Sequence, residues 1–241
     1  MITLSKKDGY NHEIEAHDHV ILVGSGRLGV WVAKLLKDMD EEVVVIEKNP
    51  ETDCIEEIKN ETNYPVLIGD ATEVVILKKA NVKEADAIII TSNDYAANLE
   101  ISLKVREINP EIRIILRMFD QDLAESIKKM FNIENVFSVS ALAAPPFAIS
   151  ALTKHIIIDS FEIDGKLLNF SRFYVCRNSQ LCGKTLEELE KLNLRVIMHK
   201  KRRKKLDFHP DLTLTIERGD LLLIMASSKV IEKIAKINKP S

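Results

Sequence analysis

Six short runs of mostly β-branched residues, "HVILVG", "EVVVIE", "YPVLIGD", "ADAIIITS", "EIRIILRM" and "NVFSVS", alternate with amphipathic stretches between His19 and Ser140. This alternation predicts crossover units, in which a helix follows each strand and the next strand lies parallel to the first. The runs are apolar almost throughout, not at every second position, so helices must cover both faces of the sheet. The fold class is therefore α/β, with a Rossmann-like doubly wound parallel sheet over residues 18–140. In the first intervening stretch, "RLGVWVAKLLKDM", residues Leu28, Trp31, Val32, Leu35, Leu36 and Met39 recur at helical spacing. They predict one apolar stripe, with Trp31 as a packing residue.

Past residue 140 the pattern changes. "SALAAPPFAISALTKH" is rich in small residues and carries Pro145 and Pro146, which predicts a crossover helix or connector over 141–155 with a proline break. Residues 156–241 then read as a small α+β C-terminal domain. Its strands are "IIIDSFEID", "RFYVC", "LRVIMHK", "DLTLTI" and "DLLLIMA", its helices "TLEELEKL" and "SKVIEKIAKIN", and "ERGD" is a turn. Residues 1–17 form a polar leader or linker. His12, His17 and His19 cluster there without further ligands, so no metal is expected.

Net charge is −3, from 34 basic and 37 acidic residues, so no global field draws the chain to nucleic acid or an anionic surface. The basic run Lys200–Lys205, "KKRRKK", lacks flanking aromatics and reads as a solvated hairpin tip, not a nucleic-acid patch. No apolar run approaches the roughly 20 residues of a membrane span, and the N-terminus lacks a signal-peptide core. Cys54, Cys176 and Cys182 form no CxxC pair, which fits free thiols in a reducing compartment. The expected setting is soluble and intracellular.

Gly24, Gly26 and Gly29 form GxGxxG between the first strand and the first helix. Gly24 permits the tight turn, Gly26 leaves backbone open to a pyrophosphate, and Gly29 lets helix and strand approach closely. Phosphate then rests on the free amides at the positive end of the helix. Glu47 closes the second strand, where a carboxylate accepts hydrogen bonds from an adenosine ribose and repels a 2′-phosphate; Lys48 beside it partly offsets that repulsion. The expected ligand is NAD(H) or ATP/ADP. Further contacts are expected at the carboxyl ends of later strands: Asp70 and Ala71, then Thr91, Ser92 and Asn93, with Asn98 one turn on. Helix capping is the alternative role for the Asp, Ser, Thr and Asn residues among them. Arg117, a cation on an apolar strand, demands an acid or a bound phosphate beside it.

The succession "GSGRLG", the glutamate closing the second strand, "GDAT", "ADAIIITSND", "NPEIRIILRMFDQDLA", "LCGKTLEEL" and "ERGDLLLIMAS" resembles the RCK (KTN) regulators of potassium transport over about residues 18–238. These are the Trk/Ktr-type cytosolic subunits and the gating rings of potassium channels. The resemblance implies an N-terminal nucleotide domain (TrkA-N), a crossover, and a C-terminal domain (TrkA-C). It also implies pairing into a homodimer that builds a tetramer or octamer ring on a membrane channel or transporter pore subunit. The location it implies is cytoplasmic, peripheral to the inner face of the membrane through that partner. It assigns Gly24, Ser25, Gly26, Arg27 and Leu28 to the phosphate loop, Glu47 to the ribose, Asp70 and Ala71 to the adenine side, and Thr91, Ser92 and Asn93 to the fourth strand's end. Arg117 and Phe119 stand where some calcium-gated relatives carry glutamates, which argues against a calcium site of that kind.

Chemistry on the nucleotide would need a positioned acid or base. The candidates, His155, His199 and His209, lie beyond the nucleotide domain with no accompanying acid motif. The expectation is a sensor without catalytic residues; a small NAD-dependent oxidoreductase is the alternative.

Overall fold

The computed structural model describes residues 14–133, 135–152, 157–163, 166–202 and 204–239, so His12 and His155 lie outside the described residues. The chain divides into two compact units, Met1–Ser140 and Ala141–Ser241.

In the first unit the six apolar runs are strands: β1 (His19–Val23), β2 (Val43–Glu47), β3 (Val66–Ile68), β4 (Ala85–Ile90), β5 (Arg113–Met118) and β6 (Asn135–Ser138). They form one parallel sheet in the order β3-β2-β1-β4-β5-β6. The order reverses between β1 and β4, and the crevice beyond their carboxyl ends is where open sheets of this kind take ligands. Between the strands run α1 (Arg27–Asp38), α2 (Asp53–Thr62), α3 (Val74–Lys79), α4 (Tyr95–Ile108) and α5 (Gln121–Phe131). Two apolar clusters bury the two faces of the sheet: Ile21, Val44, Ile88 and Leu116 in one, Leu22, Val43, Val45 and Ala87 in the other. Double coverage is what the unbroken apolar runs require.

The stripe expected on α1 is met in part: Val32 and Leu36 pack against a buried cluster of the sheet, and the rest is corrected. The helix buries Gly29, Val30 and Ala33, while Trp31, Leu35 and Met39 are exposed, Trp31 at 65%. Small residues let α1 lie close to the sheet, and that close approach turns the bulky side chains outward. Of the stretch read as a polar leader or linker, residues 1–13 lie outside the described residues and the last four pack on the unit. Ile14 and Ala16 are buried, Ile14 N donates to Lys79 O (2.9 Å), and Asn81 Nδ2 donates to Ala16 O (2.8 Å).

The helix α6 (Val139–Leu152) carries Pro145 and Pro146 inside it, so the expected proline break is absent. The pyrrolidine ring fixes φ in the helical range, and the neighbouring Ala143 and Ala144 are small. In the second unit β7 (Ile157–Ile163), β8 (Lys166–Tyr174), β9 (Leu194–Lys200) and β10 (Leu221–Ala226) form an antiparallel sheet in the order β7-β8-β10-β9. The helices α7 (Leu186–Glu190) and α8 (Ser228–Ile237) contribute Leu186, Leu189, Ile231 and Ile234 to its core. "DLTLTI" is not a strand; it makes one isolated bridge, Thr185 with Thr215. The basic run leaves β9 as a loop, with Lys201 paired to Glu217 at 3.0 Å and Arg203 outside the described residues.

His19 at the start of β1 is fully buried; its Nε2 lies 2.9 Å from Ala80 O, and among the described residues Nδ1 has no hydrogen-bond partner. Burial, ahead of the opposing Ala80 hydrogen bond, holds its pKa below the usual histidine value. The unfolded chain therefore takes up this proton first as pH falls. The contribution of His19 to stability is complete above about pH 6.5 and is lost as pH drops through the lower folded value. Urea midpoints should fall between about pH 6.5 and pH 5 in the native chain. His19→Phe should flatten that decline, and an unchanged acid slope in the variant would refute the assignment.

Candidate functional site

At the switch point between β1 and β4, the carboxyl ends of the parallel strands enclose a crevice of about 600 Å³, within the range that holds small-molecule ligands. The chain leaves β1 through Gly24, at φ +95°, and enters α1 with Gly26 as N-cap. A Cβ on Gly26 would meet nothing within 4 Å, whereas one on Gly29 would stand 2.0 Å from Gly24 O. Gly26 thus keeps the mouth open and Gly29 lets the helix close onto the strand, as the spacing predicts. The N-terminus of α1 has no side-chain cap and no acid in its first turn, so its amides and positive dipole end are left for an anion.

Of the residues that the motifs single out, Gly24, Gly26, Arg27, Leu28, Glu47, Lys48, Asp70, Ala71, Thr91, Ser92, Asn93 and Arg117 line the crevice; Ser25, Gly29 and Asn98 do not. Ser25 is fully buried, and both its N and its Oγ donate to Glu47 Oε2 at 2.7 Å. It is a tether for the carboxylate. Burial pushes the Glu47 carboxyl up, but hydrogen bonds from Asn49 N and from Ser25 N and Oγ outweigh it and hold the group below its ordinary value. Glu47 is therefore charged at neutral pH, and its Oε1 accepts from Asn49 N (2.8 Å).

Asn98 is fully buried; its Nδ2 donates to Ser92 O (3.0 Å) and Arg117 O (3.2 Å), and its Oδ1 accepts from Ser92 Oγ. It ties the end of β4 to the end of β5. Asp94 caps α4 by accepting from Ala97 N (3.0 Å), which leaves Ser92 and Asn93 on the wall. Thr91 Oγ1 lies 3.0 Å from both Val23 O and Gly24 O and secures the glycine turn to β4.

Lys48 and Asp70 meet across the crevice at 2.6 Å. That ion pair, with further bonds from Thr72 N and Oγ1, lowers the Asp70 pKa to about 2. Lys48 is thereby engaged by Asp70 on the β3 side. Thr72 belongs to this turn, and α3 begins two residues later with Glu73 as its N-cap. Arg27 is largely exposed at the rim, with Nη1 3.4 Å from Glu57 Oε2. Arg117 Nη1 donates to Thr91 O (3.0 Å), and among the described residues no carboxylate pairs with it. A half-buried cation and an uncapped helix end lining the same crevice are the features that ask for an anion.

Outside the crevice, His199 and Asp220 form a buried pair in the second unit, with Nε2 2.8 Å from Oδ2. His209 is exposed. Among the described residues no group of three or more His, Cys, Asp and Glu gathers as a metal site would need.

The TrkA-N domain family matches residues 20–139, and the TrkA-C domain family matches residues 171–239. A Trk system potassium uptake protein TrkA homolog of Pyrococcus abyssi is 26% identical over 174 residues, covering 71% of this chain and 75% of that protein. Its counterpart from Pyrococcus horikoshii is 23% identical over 231 residues, covering 91% of this chain and 96% of that protein. Among solved structures, the GsuK channel bound to NAD superposes with a TM-score of 0.58 at 17% identity, covering 94% of this chain and 40% of the channel chain. That last likeness speaks for the fold alone. With a parallel sheet and glycine turn in its first unit and a small antiparallel sheet in its second, each matched in its place by TrkA-N and TrkA-C, the chain belongs to the RCK/TrkA-type family of potassium transport regulators.

Proposed function

We propose that the chain is a nucleotide-sensing regulatory subunit or domain of a membrane potassium channel or transporter. The observation that carries the reading is the crevice itself: an uncapped helix end and an unpaired Arg117 on one side, a charged Glu47 on the other. The two charges suit the two ends of an adenosine diphosphate unit, which makes NAD(H) or ATP/ADP the ligand class. The binding residues are the crevice-lining set. Ser25, Gly29 and Asn98 act behind it, and Lys48 acts through Asp70. The NAD named with the GsuK channel and the potassium uptake named for the Pyrococcus proteins support the same reading.

Sensing needs two assembly states that the ligand favours unequally. The N-terminal unit exposes the apolar side chains of Phe119, Leu123 and Met130 on and just before α5, and α6 exposes Leu142 and Phe147, the latter at 79%. Such faces support self-association into a dimer and then a tetramer or octamer ring, with the pore subunit as the further partner. A cytoplasmic place against the inner face of the membrane follows from that partner. Among the described residues no helix is long and apolar enough to cross a membrane.

Titration calorimetry with NAD, NADH, ATP and ADP tests the reading. Loss of one charge-assisted contact costs about 1.5–3 kcal/mol, so Arg117→Gln should weaken the bound nucleotide by about tenfold to a hundredfold. Failure of all four to bind the native chain would overturn the proposal. Substrate-dependent reduction of NAD would favour the oxidoreductase alternative instead.

A further inference from the structure

Cys176 and Cys182 bracket the loop that leaves β8 and leads to α7. Two successive turns fold this loop: Ser179 N donates to Cys176 O (3.2 Å), and Cys182 N donates to Ser179 O (3.1 Å). Each such turn brings residues three apart to within about 7 Å. The folding places Cys182 Sγ 3.7 Å from Cys176 O, against the backbone of the residue that carries the other thiol. Cys176 Sγ lies 3.9 Å from Tyr174 O. Val175 directs its N and O toward Asp220 and Gly219 beside β10. Both sulfurs therefore lie against carbonyls of the same short stretch, Tyr174–Cys176.

Neither sulfur serves the core. Cys182 is exposed and Cys176 half-buried, while Val175 and Leu181 beside them take the buried positions. The loop is anchored by other groups: Asn238 Oδ1 accepts from Cys176 N (3.0 Å), Asn238 Nδ2 donates to Tyr174 O (2.9 Å), and Gln180 N donates to Ile237 O (3.0 Å). Two adjacent solvent-reached thiols on an anchored loop, with no packing task, are placed to react with each other.

We propose that Cys176 and Cys182 form a peroxide-responsive dithiol site that closes to a disulfide within the loop. The Cys182 thiolate attacks hydrogen peroxide; the O–O bond breaks, hydroxide leaves and takes up a proton, and a sulfenic acid remains on Cys182. The Cys176 thiolate then attacks that sulfur; the S–S bond forms, the S–O bond breaks and water leaves. Two thiols are oxidised by two electrons, and one peroxide is reduced to two waters. A disulfide asks for Cα atoms about 4.4–6.8 Å apart. Closure therefore requires the two turns to hold the Cα atoms of Cys176 and Cys182 within that range while the side chains rotate toward each other. Cys54, on α2 in the other unit, stands outside the pair.

The test uses the full reduced chain, treated with hydrogen peroxide and then alkylated with iodoacetamide. Arg177 separates the two cysteines, so trypsin releases Phe173–Arg177 and Asn178–Lys184 as distinct peptides. The expected result is an intact mass lower by two hydrogen atoms before alkylation, one alkylated thiol (Cys54) after it, these two peptides joined, and both peptides released by dithiothreitol. In Cys176→Ser, lacking the resolving thiol, conversion of Cys182 to sulfinic acid should rise several-fold over the native chain. Three results would overturn the proposal: both thiols remaining alkylatable, Cys182 reaching sulfinic acid equally in native and variant chains, or disulfides joining separate chains only.

Discussion

Replacing Gly29 with alanine should lower the unfolding free energy by about 3 kcal/mol and abolish nucleotide binding. The added methyl would stand 2.0 Å from Gly24 O, 3.0 Å from Gly24 C and 3.3 Å from Thr91 Oγ1. None of these atoms yields easily. Gly24 N is bound to Ile46 O (2.9 Å), and Thr91 Oγ1 reaches Val23 O and Gly24 O at 3.0 Å. Relief requires α1 to withdraw from β1 and β4, which moves the helix end that forms the phosphate cradle. Alanine's better helix propensity returns only about 1 kcal/mol. Gly26→Ala separates the two effects, because its methyl meets nothing within 4 Å and its backbone, at φ −61°, suits any residue. That variant should keep its stability within about 1 kcal/mol and still bind nucleotide more weakly, since the methyl enters the open mouth of the crevice. Urea unfolding followed by the single tryptophan, Trp31 in α1, together with calorimetry, reads both quantities. A Gly29→Ala chain with native midpoint and native affinity would show that the close approach carries no energy.

The central strands of the first unit were legible in the sequence because β1 and β2 are buried along nearly their whole length, and burial on both faces demands an unbroken apolar run. Trp31 was misplaced because periodicity marks a stripe without saying whether that stripe faces the sheet. Gly29 and Ala33, the small residues that let α1 come close, decide the matter. "DLTLTI" alternates as a strand does, yet its backbone bonds run to the segment 183–187 at the start of α7 (Ile216 N to Lys184 O, 2.8 Å; Leu186 N to Leu214 O, 3.1 Å) and give one bridge, Thr185 with Thr215, not a strand of the sheet. Pro145 and Pro146 read as a break where α6 runs through.

In the crevice, the glycines and the strand-end residues were legible because their spacing follows from the turn they must make. Which polar residues face a ligand and which hold those that do was not legible. Ser25 lies inside the glycine motif, but its hydroxyl and amide both point back to Glu47. Asn98 sits one turn into α4, at the distance a ligand contact would have, but its amide joins two strand ends. Lys48 is adjacent to Glu47 in sequence and engages Asp70 in the turn beyond the neighbouring strand β3. Each difference depends on a side-chain direction that residue type and spacing leave open.

The second large effect belongs to the C-terminal unit. Asp220→Ala should destabilise it by about 3 kcal/mol, within the range for removing one partner of a buried pair. His199 and Asp220 are 2% and 1% exposed, and Asp220 Oδ2 accepts from both His199 Nε2 (2.8 Å) and Glu217 N (3.0 Å). Truncation strands His199 Nε2 away from water, at about 1–3 kcal/mol, and also removes the acceptor of Glu217 N. The pair also joins the end of β9 to the turn before β10, where Gly219 takes φ +85° and Asp220 N donates to Glu217 O (3.1 Å). Asp220→Asn keeps an acceptor oxygen and should lose only about 1 kcal/mol. Hydrogen exchange of the β9 and β10 amides measures the difference, and tryptophan fluorescence from α1 in the other unit should be unaffected. Equal exchange in the alanine, asparagine and native chains would mean that the pair is energetically idle. A graded loss would make this contact the anchor of the turn between the basic loop and the last strand.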